Sequence, residues 1–330
     1  MKMPTAIVGV LVSFTMMFAV AADQTKVLGN IRGAKAKECF RVVDQDGNPV
    51  EGAHFRGAFV LDDWNDYQRV EGVSNANGEF VAEGKSKDRL HYRITKDGFY
   101  KTSGDVLYLS TKANPAVVDG KWQPYGSNRT VVLKKIINPT VNIVHAAPIR
   151  IEAKIPEYGK WLGFDLEKYD WVCPLGAGKH EDVLLKFTKR TTANWFDFTC
   201  TMSVSFTNNP YAGVMVMKKD GSSEFVTEYR ANTNGQYCGT LEYVREMIPG
   251  QKRNFSFLDD GSYLIYRTRT TVDEHQKLKT AHYGIILGEW SPTEEYMSLA
   301  DGCFNPIPND VNIEDGRYLR EVLNRRGGLK

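Results

Sequence analysis

Few residues in this chain are spaced for recognisable chemistry. The six histidines, His54, His91, His145, His180, His275 and His282, include no pair one helical turn apart beside a glutamate, the arrangement a zinc peptidase needs. The nearest approach to a metal-binding cluster is His180-Glu181-Asp182, and on a strand only His180 and Asp182 would point the same way. No Gly-x-Ser-x-Gly elbow is present to activate a serine. Gly176-Ala177-Gly178-Lys179 lacks the spacing of a phosphate loop and reads as a flexible turn. The five cysteines, Cys39, Cys173, Cys200, Cys238 and Cys303, form no CxxC pair. Structural bridges or inert buried thiols account for them, and their pairing stays open.

Glycoside hydrolysis needs only two carboxylates at a set separation, which a sequence does not display. Glu289 beside Trp290 and Glu242 beside Tyr243 are the carboxylates to inspect first, each also read as an ordinary edge or surface group. No catalytic residue, metal or cofactor is assigned. The Asp44-Gln45-Asp46-Gly47 run has the spelling of a calcium loop, but Val42 occupies the earlier ligand position and no glutamate closes it.

The elements that would position these groups are strands. Phe40 to Val43 leads into the turn formers Asp44 to Pro49, Asn75-Ala76-Asn77-Gly78 makes a second turn, and Leu90 to Thr95 alternates at period two before Lys96-Asp97-Gly98. Val60 to Gly72, with Asp62, Asp63, Trp64 and Asp66, reads as an exposed loop. Arg129 to Ile137 is rich in β-branched residues ahead of Asn138-Pro139. Further strands are expected at Val183 to Thr188, Phe196 to Phe206, Gly213 to Met217 and Glu224 to Tyr229, the last two joined by a hairpin turn at Asp220-Gly221. The longest pair is expected between Ser262 to Val272 and Thr280 to Trp290.

Period two sorts the faces of that pair. His282, Gly284, Ile286, Gly288 and Trp290 would share one face, and in the partner strand Tyr263, Ile265, Arg267 and Arg269 would share another. An open glycine-bearing face would form a shallow groove edged by His282 and Trp290, suited to a flat or sugar-like ligand, with Arg267 and Tyr263 as further ligand-binding candidates. The competing reading is that the glycines admit a neighbouring sheet.

Lys2, the apolar run Ala6 to Val20 and the small residues Ala19-Val20-Ala21 read as a signal peptide cut after Ala21. The run is short of the roughly 20 apolar residues that cross a bilayer, so a secreted or periplasmic chain without a membrane span is expected. With 42 Lys plus Arg against 40 Asp plus Glu, the charge is too balanced to steer nucleic acid. The expected division is residues 1–21 signal peptide, 22–35 N-terminal segment, 36–137 a small β-sandwich, 138–160 connector, 161–310 a larger β-rich module and 311–330 a basic tail. The fold class is mainly β, a small β-sandwich followed by a larger β-sandwich or jelly-roll-like module.

Three turns carry a resemblance: Gly47-Asn48-Pro49-Val50-Glu51-Gly52-Ala53, Asn75-Ala76-Asn77-Gly78-Glu79-Phe80 and Lys96-Asp97-Gly98-Phe99. In that order they resemble the carboxypeptidase regulatory-like, transthyretin-like domains. The resemblance implies a non-catalytic accessory over residues 36 to 137. From Leu162-Gly163-Phe164-Asp165 through Gly176-Ala177-Gly178-Lys179 to Phe304-Asn305-Pro306, the second module resembles the C-terminal halves of uncharacterised secreted bacterial proteins, which bring no activity with them. The functional expectation is a secreted or periplasmic binding protein whose partner is an extracellular polysaccharide or an envelope protein. A secreted glycan hydrolase and a structural envelope component are the alternatives.

Overall fold

Short turn signals every few residues and no long run of helical periodicity dictate β structure, and the computed structural model is all β. It describes residues 33–62, 66–108, 117–139, 143–145, 151–192, 194, 196–206, 210–221, 223–256, 258–259, 261–288 and 290–314, and no helix occurs among them. The segment read as a signal peptide, Asp63, Trp64, Glu289 and the residues beyond Glu314 lie outside those residues. Among the described residues no helix is long and apolar enough to cross a membrane. The chain forms two compact units, residues 1–136 with 221–225, and residues 137–220 with 226–330.

The first unit is a sandwich of two sheets. In one, Ala34–Asp44 pairs antiparallel with Glu79–Ser86 and parallel with Ser127–Leu133. The other runs Asp66–Val73, His54–Asp62, Arg89–Thr95, Thr102–Leu107, antiparallel throughout. Phe40, Val42, Phe55, Phe59, Ala82, Leu90, Ile94 and Val131 fill the space between them. The segment read as a loop, Val60 to Gly72, is instead largely a hairpin, because Asp66–Val73 supplies a full edge strand to His54–Asp62.

The turns are built by their own side chains. Asp44 accepts the backbone N–H groups of Asp46 and Asn48 and an ion pair from Lys135 at 2.7 Å. That lysine, helped by the Asn48 and Asp46 bonds and opposed by burial, holds the carboxyl at about 2. The acidic run is thus a turn tied by a lysine. Asn75 plays the same part for the second turn, accepting from Asn77 and Glu79. There Gly78 has φ +77° and a Cβ would lie 2.2 Å from the Val42 carbonyl, so only glycine closes it.

Residues 221–225 complete this unit. Ser223 bridges to Thr102, the Glu224 N–H donates to the Lys101 carbonyl at 2.8 Å, and Phe225 stacks on Tyr100 at 4.8 Å. The hairpin expected at Asp220-Gly221 is therefore not formed. Gly213–Lys218 pairs with Ser262–Val272 instead, and no strand covers Glu224 to Tyr229.

In the second unit six antiparallel strands form one sheet, in the order Asp170–Trp171, Trp161–Asp165, Val183–Thr191, Phe198–Phe206, Thr240–Met247, Asn254–Ser256. A five-stranded sheet runs Ile143–His145, Gly302–Phe304, Leu278–Ile286, Ser262–Val272, Gly213–Lys218, and a three-stranded one joins Ile151–Lys154, Tyr296–Leu299 and Ser291–Pro292. The five-stranded sheet is buried on both faces. Leu264, Tyr266, Ile286 and Phe304 enter one core, while Tyr263, Ile265, Tyr283, Ile285 and Cys303 enter another. That double burial explains why Ser262 to Thr268 is an unbroken buried run. The expected long pair is present, but its second strand ends at Ile286, short of Trp290.

Candidate functional site

The residues singled out as ligand-binding do not converge on one surface. Trp290 is 3% exposed, packed edge-on against Phe164 at 5.8 Å, with its indole N–H directed to the Tyr169 hydroxyl at 3.3 Å. It is core rather than the edge of an open groove. The glycine face is filled as well: a Cβ on Gly284 would meet the Cys303 carbonyl and the Tyr266 ring at 2.2 Å each. Tyr263 is fully buried, its hydroxyl accepting the Glu228 N–H. His282 is half-buried and stacked on Phe304 at 5.5 Å, and burial, ahead of the Arg269 charge, lowers its pKa. Glu242 is exposed, and Glu289 lies outside the described residues. His180 is exposed whereas Asp182 is buried, so that pair is not assembled either. All five cysteines are free thiols, with Cys200 and Cys303 buried and Cys173 and Cys238 exposed.

Period two also fails at one step that matters. The ladder between Ser262–Val272 and Leu278–Ile286 slips after Thr268, and Arg269 takes a left-handed φ of +48°. The bulge turns Arg269 away from the face of Arg267 and onto Phe304, with its guanidinium 4.6 Å from the ring centre. There it donates twice to Asp182, at 2.9 and 3.1 Å, to Glu167 at 2.6 Å and to Asp165 at 3.3 Å.

Three carboxylates, an arginine and a nearby histidine have the composition of an active site, yet every group is committed. Burial acts to raise the Asp165 carboxyl, but the backbone N–H groups of Lys179, Lys168, His180 and Glu167 outweigh it and hold its pKa low. Asp182 also accepts the Leu166 N–H and the Thr268 hydroxyl. Glu167 is held low by its hydrogen bond to Arg269, while that guanidinium is held above its ordinary value, burial being outweighed by Asp182 and Glu167. The cluster ties the loops 166–169 and 176–180 to the strand bulge. The Gly176 to Lys179 turn is accordingly pinned rather than flexible, with Asp170 accepting the Ala177 N–H.

Arg267, two residues earlier, sits in the opposite situation. It is 5% exposed and lines a cavity of about 650 Å³ with Tyr211, Thr233, Asn234, Gln236, Tyr237 and Lys277. Its Nε–H donates to the Tyr211 carbonyl and its Nη1 to the Thr233 carbonyl at 3.0 Å. The guanidinium lies 4.0 Å from the Tyr237 ring centre, and burial pushes that phenol up to about 12. Tyr211 is held by its hydroxyl on the Gln276 carbonyl. Aromatic edges, exposed amides and a cation are the components of a site that recognises a polar ligand by hydrogen bonds and ring contact.

Two other cavities lack this combination. One of about 490 Å³ lies on the Arg56, Arg69, His91 and Arg93 face of the first unit, where Arg56 pairs with Glu71 and His91 with Asp105 on exposed side chains. Another of about 380 Å³ carries Glu152 and Asp170, but both Asp170 oxygens already accept backbone N–H groups from Trp171 and Ala177. Among the described residues, no group of three or more His, Cys, Asp or Glu side chains is placed to hold a metal ion.

No protein-family model matches this chain, and no curated protein sequence matches it. Among solved structures, it is similar to 3-chlorocatechol 1,2-dioxygenase from Rhodococcus opacus 1CP, at 14% identity and a TM-score of 0.25, over 32% of this chain and 61% of that one. Hydroxyquinol 1,2-dioxygenase from Pseudomonas putida DLL-E4 matches at 15% identity and a TM-score of 0.24, over 32% and 57%. The dioxygenase domain of a dioxygenase carbohydrate-binding protein fusion from Streptomyces sp. SirexAA-E matches at 14% and 0.24, over 32% and 83%. The match spans less than two thirds of the first two proteins, and a likeness of this degree assigns no reaction to this chain.

Proposed function

We propose that this protein is a secreted or periplasmic, non-catalytic binder of extracellular polysaccharide, with the cavity around Arg267 as its binding site and the first sandwich as accessory scaffold. The observation that carries the reading is the lining of that cavity: Tyr211, Tyr237, Asn234 and Gln236 supply rings and amides, and none of the described lining residues is a carboxylate. Hydrolysis of a glycan by the usual route needs a pair of carboxylates flanking the bond, so this lining suits retention of a sugar rather than its cleavage. The signal-like N-terminus supports the extracytoplasmic address. The resemblance of residues 36 to 137 to carboxypeptidase regulatory-like domains supports the accessory role.

Affinity electrophoresis of the mature chain through gels containing single polysaccharides, run beside a reducing-sugar release assay, tests the reading. Retardation without release is the expected result. Release makes the protein an enzyme. Absence of both on every gel transfers the site to an envelope protein or another partner class.

A further inference from the structure

Arg267 is a buried cation without a counter-ion. Among the described residues it makes no ion pair, and its two hydrogen-bond acceptors are neutral backbone carbonyls. Two positions along the same strand, Arg269 is met by three carboxylates. A fold that matches one guanidinium so fully and leaves its neighbour's charge unmatched has left room for a negative group from outside, because a desolvated charge is stable only when paired.

The donors support the same conclusion. A guanidinium carries five N–H groups in a planar fork, and Arg267 spends one on each carbonyl. Among the described residues nothing accepts from the remaining Nη N–H groups, on a residue that lines the cavity. The carbonyls and the Tyr237 ring hold the plane of the fork in place before any ligand arrives. Lys277, exposed among the lining residues, adds a second positive charge, and the described lining holds no acidic side chain to oppose either. The cavity volume lies within the ~300–1,000 Å³ range of sites for small ligands or a few sugar rings.

We propose that this cavity takes a singly charged oxyanion, the carboxylate of a uronate or a sulfate ester, on an acidic glycan. The glycan part rests on the function proposed above; the charge part rests on Arg267, with Lys277 at the exposed side of the lining adding to it. One buried cation matches one negative charge, and the open fork offers the paired N–H groups that a carboxylate or sulfate accepts.

The test is titration calorimetry of the full mature chain with four oligosaccharides of equal length: an oligogalacturonate, its methyl ester, a sulfated galactan and the same galactan desulfated. Galacturonate monosaccharide and inorganic sulfate are titrated separately. At least one acidic oligosaccharide should bind tenfold or more tightly than its neutral counterpart, and the arm that does so identifies the anion. Raising NaCl from 50 to 500 mM should erode that preference. Lys277→Gln, an exposed substitution that leaves the core untouched, should weaken the acidic ligand about threefold. Arg267→Gln should abolish the preference, in protein whose melting transition is first shown to be retained.

Equal or tighter binding of the neutral oligosaccharides overturns the anion inference and leaves the glycan reading standing. Arg267-dependent binding of the isolated anions, with no oligosaccharide bound, upholds the anion site and overturns the glycan reading. No binding of any oligosaccharide or anion at millimolar concentration overturns both.

Discussion

Gly284→Ala reverses sign according to whether the glycine-bearing face of the Leu278–Ile286 strand is open or filled. On an open strand face alanine is the better residue, by about 0.5–1 kcal/mol, because glycine loses more backbone freedom on folding. In the structure the new Cβ would lie 2.2 Å from the Cys303 carbonyl oxygen and from Tyr266 Cζ and Oη, where ordinary contact begins at 3.4 Å. The carbonyl cannot step aside cheaply. Gly302–Phe304 is hydrogen-bonded to this strand, with Gly284 opposite Phe304, and the Cys303 carbonyl also accepts the Tyr266 hydroxyl at 2.9 Å. Overpacking that has to shift backbone stands at the upper end of the usual cost, about 3 kcal/mol. Gly288→Ala is the control, since its Cβ would meet only the Ala300 methyl at 3.1 Å, and it should change stability by no more than about 0.5 kcal/mol. Urea unfolding followed by tryptophan fluorescence reads the difference, because Trp171 and Trp290 are both buried in one core of the second unit. A Gly284→Ala protein as stable as the parent, or more so, would refute the filled face and revive the open groove.

Trp290→Ala should destabilise the second unit by about 3–5 kcal/mol in the same assay, as expected for a buried indole, whereas a residue serving only a ligand would leave the midpoint in place. Arg269→Met should cost about 3 kcal/mol by leaving Asp165 and Asp182 buried without their cation, and Arg269→Lys should not restore it, because an ammonium cannot reproduce the forked contacts; full stability of the lysine variant in thermal melts would contradict this. Asp44 has a folded pKa of about 2 against an ordinary 3.8, so its ionised form favours the fold; that contribution is complete above about pH 4 and disappears as pH falls towards 2. Acid titration of Asp44→Asn should therefore show a smaller stability loss across that interval than the parent, and an identical slope would exclude Asp44 as a source of it.

Turn chemistry was the most legible layer of this chain, because it is local. Asp44 and Asn75 accept backbone N–H groups a few residues on, and Gly47, Gly78 and Gly98 take the positive φ of their own turns, so the corners of the first sandwich could be placed from their neighbours alone, whereas the Lys135 tie to Asp44 and the Val42 carbonyl against Gly78 could not. Pairing was less legible. Asp220-Gly221 looks like a hairpin turn, but a turn signal does not reveal which strand lies on the far side, and residues 221–225 found Lys101 and Thr102 while Gly213–Lys218 found Ser262–Val272. The Asp66–Val73 strand was missed for a different reason. It is an edge strand with exposed Asp66, Gln68, Arg69 and Glu71, and such a segment has no apolar alternation to separate it from a loop.

Arg267 was legible as a ligand-binding candidate, but its separation from Arg269 was hidden by one residue of slippage. Strict alternation puts Arg267 and Arg269 on one face, where together they would read as a basic stripe on a solvated strand. A single bulge sends them to opposite sides of a sheet that is buried on both, one into carboxylates and the other into an unopposed cavity. The sequence does carry a trace of this. In the stretch reading Ser-Tyr-Leu-Ile-Tyr-Arg-Thr-Arg, the residues from Tyr263 to Tyr266 are apolar on both faces, which already argues for a strand covered on both sides. Any arginine continuing such a strand has to find partners or wait for one, and Asp165, Glu167 and Asp182 all meet Arg269. The partner of the other is then to be sought outside the chain, and the charge of the ligand follows from the core rather than from the surface.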